Sequence, residues 1–332
     1  MRKILITGGL GFLGQHLVHF IRQRYPDAAI TILARSHKKF FLEDFSEDAN
    51  IKIVYNTDLN DPSTLQRHLS GIEIVFHAAA MISFWRKDRK ALYRSNIDGT
   101  QNLIDLCLQY GIKRLIYISS TAAIGYNNNE DIPADETFKF KWKKAYMCAY
   151  MMSKYLAEER VKATVQKGLP AIIANPSTIY GPGDTRIFPL IDNLKAGKVP
   201  VMLPGGFAAI DVRDAASALV TLIEKGRIGE NYLFTGGNYT YAKVLTTIAN
   251  AAGASPPPKT MSMSIGPLLV PIISLMETLS PQQPKLTNEI FSMGFKFRYY
   301  STRKAEKELG WEPTITIEQT FRDSVEYYNK RK

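Results

Sequence analysis

Cysteine is nearly absent from this chain. Cys107 and Cys148 are the two in 332 residues, too few for a disulfide framework and in keeping with a reduced, cytoplasmic compartment. Long apolar runs are missing too. The longest, Ile265 to Leu279, is broken by Pro267 and Pro271 and carries Glu277, so no integral membrane segment is expected. Met1 leads straight into a β-rich run, which argues against a signal or transit peptide. No internal repeat is visible. Acidic residues are outnumbered, 31 against 42 basic ones, for a formal charge of +11. The densest basic run, Lys139 to Lys144, holds Phe140 and Trp142. No nucleic-acid module surrounds it, so it reads as a solvated loop and no nucleic-acid partner is expected. No metal is expected. The positive excess suits anionic small molecules. At this length, with 45% hydrophobic residues, the chain has room for an α/β domain with an added lobe.

The most informative stretch is the N-terminus. Lys3 to Thr7 is a short apolar run, followed at once by Gly8-Gly9-Leu10-Gly11-Phe12-Leu13-Gly14 and then by a helical pattern. A strand turning through such a loop into a helix presents backbone N–H groups, clear of side chains, at the positive end of a helix dipole. That arrangement binds a pyrophosphate, so Gly8, Gly11, Phe12, Leu13 and Gly14 are the expected contacts of a dinucleotide. A tight βα turn without ligand is the plainer alternative. The second strand, Ile30 to Ala34, ends without the carboxylate that grips the adenosine ribose of NAD. Ala34 stands there, followed by Arg35, Ser36, Lys38 and Lys39. A guanidinium matches a 2′-phosphate bidentately. NADP(H) is therefore favoured over NAD(H), with Arg35 and Lys38 on the phosphate.

Further along, Ile51 to Tyr55 reads as a third strand. Asp58-Leu59 follows it, where Asp58 either accepts from the adenine amino group or caps the helix beginning near Asp61-Pro62. The fourth strand, Glu73 to Phe76, runs into His77-Ala78-Ala79-Ala80; small residues at a strand end let a flat cofactor lie close. His77 reads as a packed histidine. A long helix is expected from about Lys87 to Tyr110, then a fifth strand at Arg114 to Ile118. Strands alternating with helices at this rhythm imply parallel βαβ units. Ser119, Ser120 and Thr121 fall at the carboxyl edge of the sheet, where open α/β sheets place ligands. Tyr150 and Lys154 lie four apart and share a helix face. An ammonium favours a phenolate and so lowers a tyrosine's pKa, while a serine hydroxyl steadies a carbonyl oxygen as charge builds on it.

Together these residues resemble the extended short-chain dehydrogenase/reductases, the NAD(P)-dependent epimerase/dehydratase superfamily. The likeness rests on Thr7 to Gly14, Asp58-Leu59, His77-Ala78-Ala79, Asn96 to Thr100, Ser119-Ser120, Tyr150 with Lys154, Asn175-Pro176-Ser177, Tyr180 to Gly183 and Asp211 to Asp214. It implies a Rossmann-type doubly wound parallel sheet with a smaller C-terminal substrate lobe. It also implies that Tyr150 is the acid/base and that Lys154 holds the nicotinamide ribose and tunes Tyr150. Ser120, five residues before Gly125, is implied as the catalytic serine, with Ser119 second. Asn96 belongs to the implied cofactor set, and Pro176 and Ser177 are implied beside the nicotinamide amide. Within the superfamily the chain is similar to dihydroflavonol 4-reductase-like reductases through Arg35 and the tail Tyr299 to Ala305 with Leu309-Gly310-Trp311. Asn175-Pro176 departs from the apolar-Pro of the plant reductases.

Beyond the sixth strand, Pro170 to Ala174, the alternation breaks down. A helix is expected near Phe188 to Ala196. Ile210 to Val212 is expected to re-enter the sheet region, before a helix ending near Lys225-Gly226. The cofactor domain is accordingly 1–175 with about 209–235, and the substrate lobe 176–208 with 236–332. Met81, Phe84, Tyr126 and Phe188, with Trp85, Trp142 and Tyr146, are candidate site-mouth residues. An aromatic, weakly polar cleft suits an apolar or aromatic carbonyl compound. Ile265 to Leu279 reads as a lobe helix closing over it, with docking on lipid or a partner helix as the rival. The expected function is NADPH-dependent carbonyl reduction. The alternatives are a nucleotide-sugar epimerase or dehydratase, in which Arg186 and Arg213 would hold the diphosphate, and a non-catalytic cofactor sensor. A homodimer across the two long helices is expected by analogy.

Overall fold

The computed structural model describes residues 2–37, 40–42, 44–142, 148–284 and 286–331. Seven strands form one parallel sheet: β1 (Lys3–Thr7), β2 (Ala29–Leu33), β3 (Ile51–Val54), β4 (Ile74–His77), β5 (Arg114–Ile118), β6 (Ala171–Pro176) and β9 (Asn231–Phe234). Their order is β3-β2-β1-β4-β5-β6-β9. The chain direction across the sheet therefore reverses between β1 and β4, and a crevice opens at their carboxyl ends.

Alternation along each strand divides the core into two layers. Ile4, Ile6, Ile116, Ile118, Ile172 and Ala174 enter one, under helices α1 (Phe12–Arg24) and, later in the chain, Val212–Lys225. Leu5, Leu115, Tyr117 and Ile173 enter the other. That layer is roofed by two more helices, Gly99–Gln109 and Ala149–Val165. Each such fully buried aliphatic side chain contributes about 1.5–3 kcal/mol, so the sheet is rigid and its strand ends are well fixed.

In chain order the helices after α1 are α2 (Ser63–Gln66), α3 (Arg89–Tyr93), α4 (Gly99–Gln109), α5 (Ala149–Val165), α6 (Phe188–Lys195) and α7 (Val212–Lys225). They continue with α8 (Tyr241–Ala251), α9 (Gly266–Leu279), α10 (Asn288–Met293), α11 (Arg303–Leu309) and α12 (Ile317–Arg331). The expected continuous helix from 87 to 110 is broken. A 3-10 turn at Arg86–Asp88 leads into α3, a π-turn occupies Arg94–Asp98, and α4 follows. The cause lies at Asn96, which is drawn inward by hydrogen bonds described below.

A second sheet is built around β8 (Gly206–Asp211), which pairs with β7 (Thr178–Tyr180), β10 (Gly237–Thr240) and β11 (Phe297–Arg298). Ile210 thus re-enters this smaller sheet and not the large one; it is Asn231–Phe234 that closes the large sheet, against β6. Helices α6, α8 and α12 pack on the smaller sheet through Ile191, Val244, Ile248 and Phe321.

Candidate functional site

The turn from β1 to α1 is closed by backbone. Gly8 has a φ of +75°, and a Cβ there would stand 2.7 Å from the Ala79 nitrogen. Helix α1 starts with no side-chain cap and no acid in its first turn. Its positive end is left to a ligand. From this turn a cavity of about 530 Å³ runs along the carboxyl edge of the sheet. Gly8, Gly11, Arg35, Asp58, Leu59, Ala78, Ala79, Ala80 and Met81 line it. Phe12, Leu13 and Gly14 lie behind, in the first turn of α1. Arg35 is exposed at the far end, whereas Lys38 lies outside the described residues. Asp58 Oδ1 accepts from the backbone and side chain of Asn60 at 2.9 and 3.0 Å. Asp61 takes the capping role instead, accepting from Ser63 N at 3.1 Å.

His77 is the packed histidine the sequence suggested. Its ring bonds the hydroxyls of Thr7 at 2.7 Å and Thr100 at 3.0 Å, and burial pushes its pKa down to about 3. It stays neutral. Asn96 does not line the cavity. Its Oδ1 accepts from Met81 N at 2.8 Å, and its Nδ2 donates to Met81 O at 2.9 Å and Ser153 Oγ at 3.0 Å. It therefore shapes the cavity wall through Met81 without touching the space itself.

At the other end, α5 brings Tyr150 and Lys154 beneath the end of β5. Glu289 Oε1 accepts from Ala149 N at 2.9 Å, bonding the first turn of α5 one residue before Tyr150. Burial raises the Glu289 pKa to about 7. Burial lifts the Tyr150 pKa to about 12, against the lowering influence of the nearby Ser120 hydroxyl. Lys154 is 3% exposed. Its Nζ donates to Ile118 O at 3.0 Å and lies over the Tyr117 ring, 5.1 Å from the centroid. Burial lowers its pKa to about 8, against the attraction of Glu158. Burial thus governs both groups.

The two serines part company here. Ser119 Oγ donates inward to Glu158 Oε2 at 2.7 Å, which leaves Ser120 as the hydroxyl beside Tyr150. The same Glu158 oxygen accepts from Asn175 Nδ2 at 2.7 Å, and Asn175 Nδ2 also reaches Ser120 O at 3.0 Å. Glu158 escaped the sequence reading, although it lies four residues past Lys154 on the same helix face, one turn further. Pro176 ends β6. Ser177 is buried, and among the described residues its Oγ has no hydrogen-bond partner.

Among the aromatic candidates, Phe84 meets Tyr150 edge-on at 5.6 Å. Tyr126 packs on Phe140 at 5.0 Å and is within electrostatic reach of Arg298. Phe188 does not belong to the site. It packs on Tyr328 at 5.1 Å within the core of the smaller sheet, because the apolar face of α6 needs cover there. Trp142 stacks on Tyr155 at 4.0 Å, and Tyr146 lies outside the described residues. The front of the basic run is likewise anchored through Phe140, against which a Cβ on Gly125 would clash.

Arg298 was missed. It is half-buried on β11. Its Nη2 donates to the Tyr241 hydroxyl at 3.0 Å, and among the described residues its buried Nε has no partner. Among the described residues no carboxylate pairs with it. A desolvated cation in that state is expensive, and no local pattern in the sequence announces it. Arg186 and Arg213, by contrast, are matched by acids: Arg186 with Asp184 at 2.7 Å, and Arg213 with Asp211 and Asp323 at 2.8 Å each.

With this geometry in hand, the likenesses to known proteins agree with one another. The NAD dependent epimerase/dehydratase family matches residues 4–234. A putative dihydroflavonol 4-reductase of Synechocystis sp. (strain ATCC 27184 / PCC 6803 / Kazusa) is 32% identical over 336 residues, 97% of this chain and 93% of that protein. The sterol demethylase protein B of Methylococcus capsulatus (strain ATCC 33009 / NCIMB 11132 / Bath) is 28% identical over 98% of each chain. The crystal structure of gox2253 superposes with a TM-score of 0.82 at 30% identity, covering 100% of this chain and 99% of that one.

Proposed function

Since the chain belongs to the NAD dependent epimerase/dehydratase family and is an NAD(P)-dependent oxidoreductase of the extended short-chain dehydrogenase/reductase type, we propose that it reduces a ketone or aldehyde to an alcohol with NADPH. The observation that carries this reading is the gathering of Tyr150 and Ser120 at the carboxyl end of β5, where Lys154 Nζ donates to Ile118 O at 3.0 Å.

The residues fit the cofactor. The glycine turn leaves room that any Cβ at Gly8 would fill, and the buried, unpartnered Ser177 hydroxyl is a ready partner for a carboxamide. Arg35, exposed at the end of the cavity, suits a 2′-phosphate. A reduced nicotinamide bound here supplies a hydride to the carbonyl carbon.

The chain's own part is to manage the oxygen. Ser120 donates to it as negative charge develops, and Tyr150 delivers its proton, completing the alcohol. A phenol with its pKa near 12 is fully protonated at neutral pH, the state a reductase needs. Lys154 places its charge under the same strand end and offsets the phenolate that is left behind. Glu158 and Asn175 are positioning residues: they fix the Ser119-Ser120 segment from behind.

A nucleotide-sugar substrate requires cations for its diphosphate, and Arg186 and Arg213 are both neutralised by acids. Arg298 offers a single charge. That favours a substrate with an aromatic or aliphatic body, facing Phe84 and Tyr126, and one acceptor-rich end at Arg298. The deciding experiment follows NADPH and NADH oxidation with a panel of ketones, oxo acids and aldehydes, beside UDP- and dTDP-sugars. Carbonyl-dependent NADPH consumption that Tyr150→Phe abolishes supports the reductase. Sugar-nucleotide conversion without net cofactor consumption overturns it. Cofactor binding with no turnover in either variant points to a sensor.

A further inference from the structure

Helix α9 is the most apolar helix of the smaller lobe, and its apolar side faces outward. Leu268, Ile272, Leu275, Met276 and Leu279 are 72%, 55%, 60%, 66% and 74% exposed. Their spacing of four, three, one and three residues places them along one helical stripe. Met263 and Ile265 extend it at the N-terminal end, 43% and 40% exposed. Glu277, the acid of this helix, is turned the other way. It is 2% exposed, and its two oxygens accept from Arg86 N at 3.2 Å and Asn288 N at 2.9 Å. The stripe is therefore free of charge, and the helix is held to the protein by its opposite side.

Beside the C-terminal end of α9 runs a basic segment. Arg86, Lys87, Arg89 and Lys90 are all exposed, with Asp88 the one acid among them. Arg86 Nη1 donates to Thr278 Oγ1 at 2.9 Å and Lys87 Nζ to Ser280 O at 2.8 Å. Both partners are neutral, so neither charge is compensated by the contact. The same segment leads back through exposed Ile82 to Met81, which lines the cofactor cavity, and through Phe84 to Tyr150. An uncharged apolar stripe of this extent is uncommon on a freely soluble surface.

We propose that α9 and the Arg86–Lys90 segment form a docking surface for an anionic lipid bilayer, on which the protein lies with its site mouth toward the membrane. Apolar stripe and cationic flank match, respectively, the acyl boundary and the headgroups of such a surface. No helix among the described residues is long and apolar enough to span a bilayer, so the contact is peripheral. A second copy of this face brings one carboxylate, Asp88, already bonded by Ser83 Oγ at 2.7 Å, to meet the four cations, and the chain as a whole is positive. Pro271, exposed midway along the helix, has no N–H to desolvate there.

The test uses the full chain with vesicles of phosphatidylcholine alone or mixed with phosphatidylglycerol, read by co-sedimentation. Binding to the mixed vesicles is expected to exceed binding to phosphatidylcholine by about tenfold or more and to weaken as salt is raised. Leu268→Glu combined with Leu275→Glu is expected to abolish binding while cofactor affinity and thermal stability are kept. Lys87→Glu with Lys90→Glu should remove the preference for the anionic vesicles. Failure of the wild-type chain to sediment with mixed vesicles overturns the proposal, as does undiminished binding by the Leu268→Glu, Leu275→Glu variant. Concentration-dependent self-association that this variant loses, without vesicle binding, reassigns the face to a second copy and overturns it too.

Discussion

Lys154 donates from Nζ to the carbonyl oxygen of Ile118 across 3.0 Å, joining helix α5 to the end of strand β5. The ammonium sits in a poorly solvated place, so its pKa falls from 10.5 to about 8. Between those two values the unfolded chain binds more protons than the folded one, so stability rises with pH through that window. Below it the penalty of the buried charge is fully present. Lys154→Met is expected to stabilise the protein near neutral pH by on the order of 1–3 kcal/mol, to flatten the alkaline rise, and to eliminate turnover. Urea unfolding at neutral and alkaline pH, beside a rate assay, checks all three; a destabilised variant at neutral pH contradicts the reading.

Glu158 gathers Ser119 and Asn175 on one oxygen and Lys162 on the other, the last at 2.9 Å. Removing it strands two buried donors. Glu158→Ala is expected to cost about 3 kcal/mol or more, with Glu158→Gln intermediate. Because Asn175 also holds the Ser120 carbonyl, kcat should fall in both variants more than KM rises. Denaturant melts and steady-state kinetics measure this, and an unchanged kcat in the Gln variant would remove the positioning role.

Gly14→Ala sets two effects against each other. Alanine is preferred over glycine inside a helix by about 1 kcal/mol. Its Cβ, however, would lie 2.1 Å from Gly8 O and 2.7 Å from Gly9 Cα. Backbone has no rotamer to yield, so the clash wins. The variant should lose about 1–3 kcal/mol of stability and most of its cofactor affinity. Calorimetric melting with and without NADPH reads both, since the ligand-induced shift in Tm should vanish.

Arg35→Asp tests cofactor choice. Losing a charge-assisted pair with the 2′-phosphate should raise the KM for NADPH by about ten- to a hundredfold, whereas NADH should bind as well or better. Equal KM changes for the two cofactors would show that Arg35 points elsewhere.

The sheet was readable because its strands are short, continuous apolar runs closed by glycine, proline or polar residues, from Lys3–Thr7 through Arg114–Ile118. The placing of the glycine turn, Ser120, Tyr150 and Lys154 at strand and helix ends around one crevice was readable because the proposed chemistry needs particular residue types at such ends. Contacts made across the fold were not. Nothing local to Arg298 says that it lacks an acid, and nothing local to Asn175 says that it meets Glu158. Phe188 misled because an aromatic residue opening a helix looks the same whether it lines a cleft or covers a core. Ile210–Val212 reads as a strand either way; which sheet receives it depends on Ile179 and Tyr180 of β7, which pair with Ile210 and Asp211 from 31 residues earlier in the chain. The outward stripe of α9 was visible as composition, yet only its burial pattern told inside from outside.

The π-turn at Arg94–Asp98 makes chain length itself a constraint. Taking one residue out there would let α3 and α4 run on as a single regular helix, a change that looks harmless and even favourable. It would also swivel everything upstream by about 100° about the axis, swinging the Asn96 amide off Met81 and the strand-end alanines' neighbour out of line. An irregularity that resembles a defect is thus a phase setting, and an indel in this turn is equivalent to re-aiming one wall of the crevice.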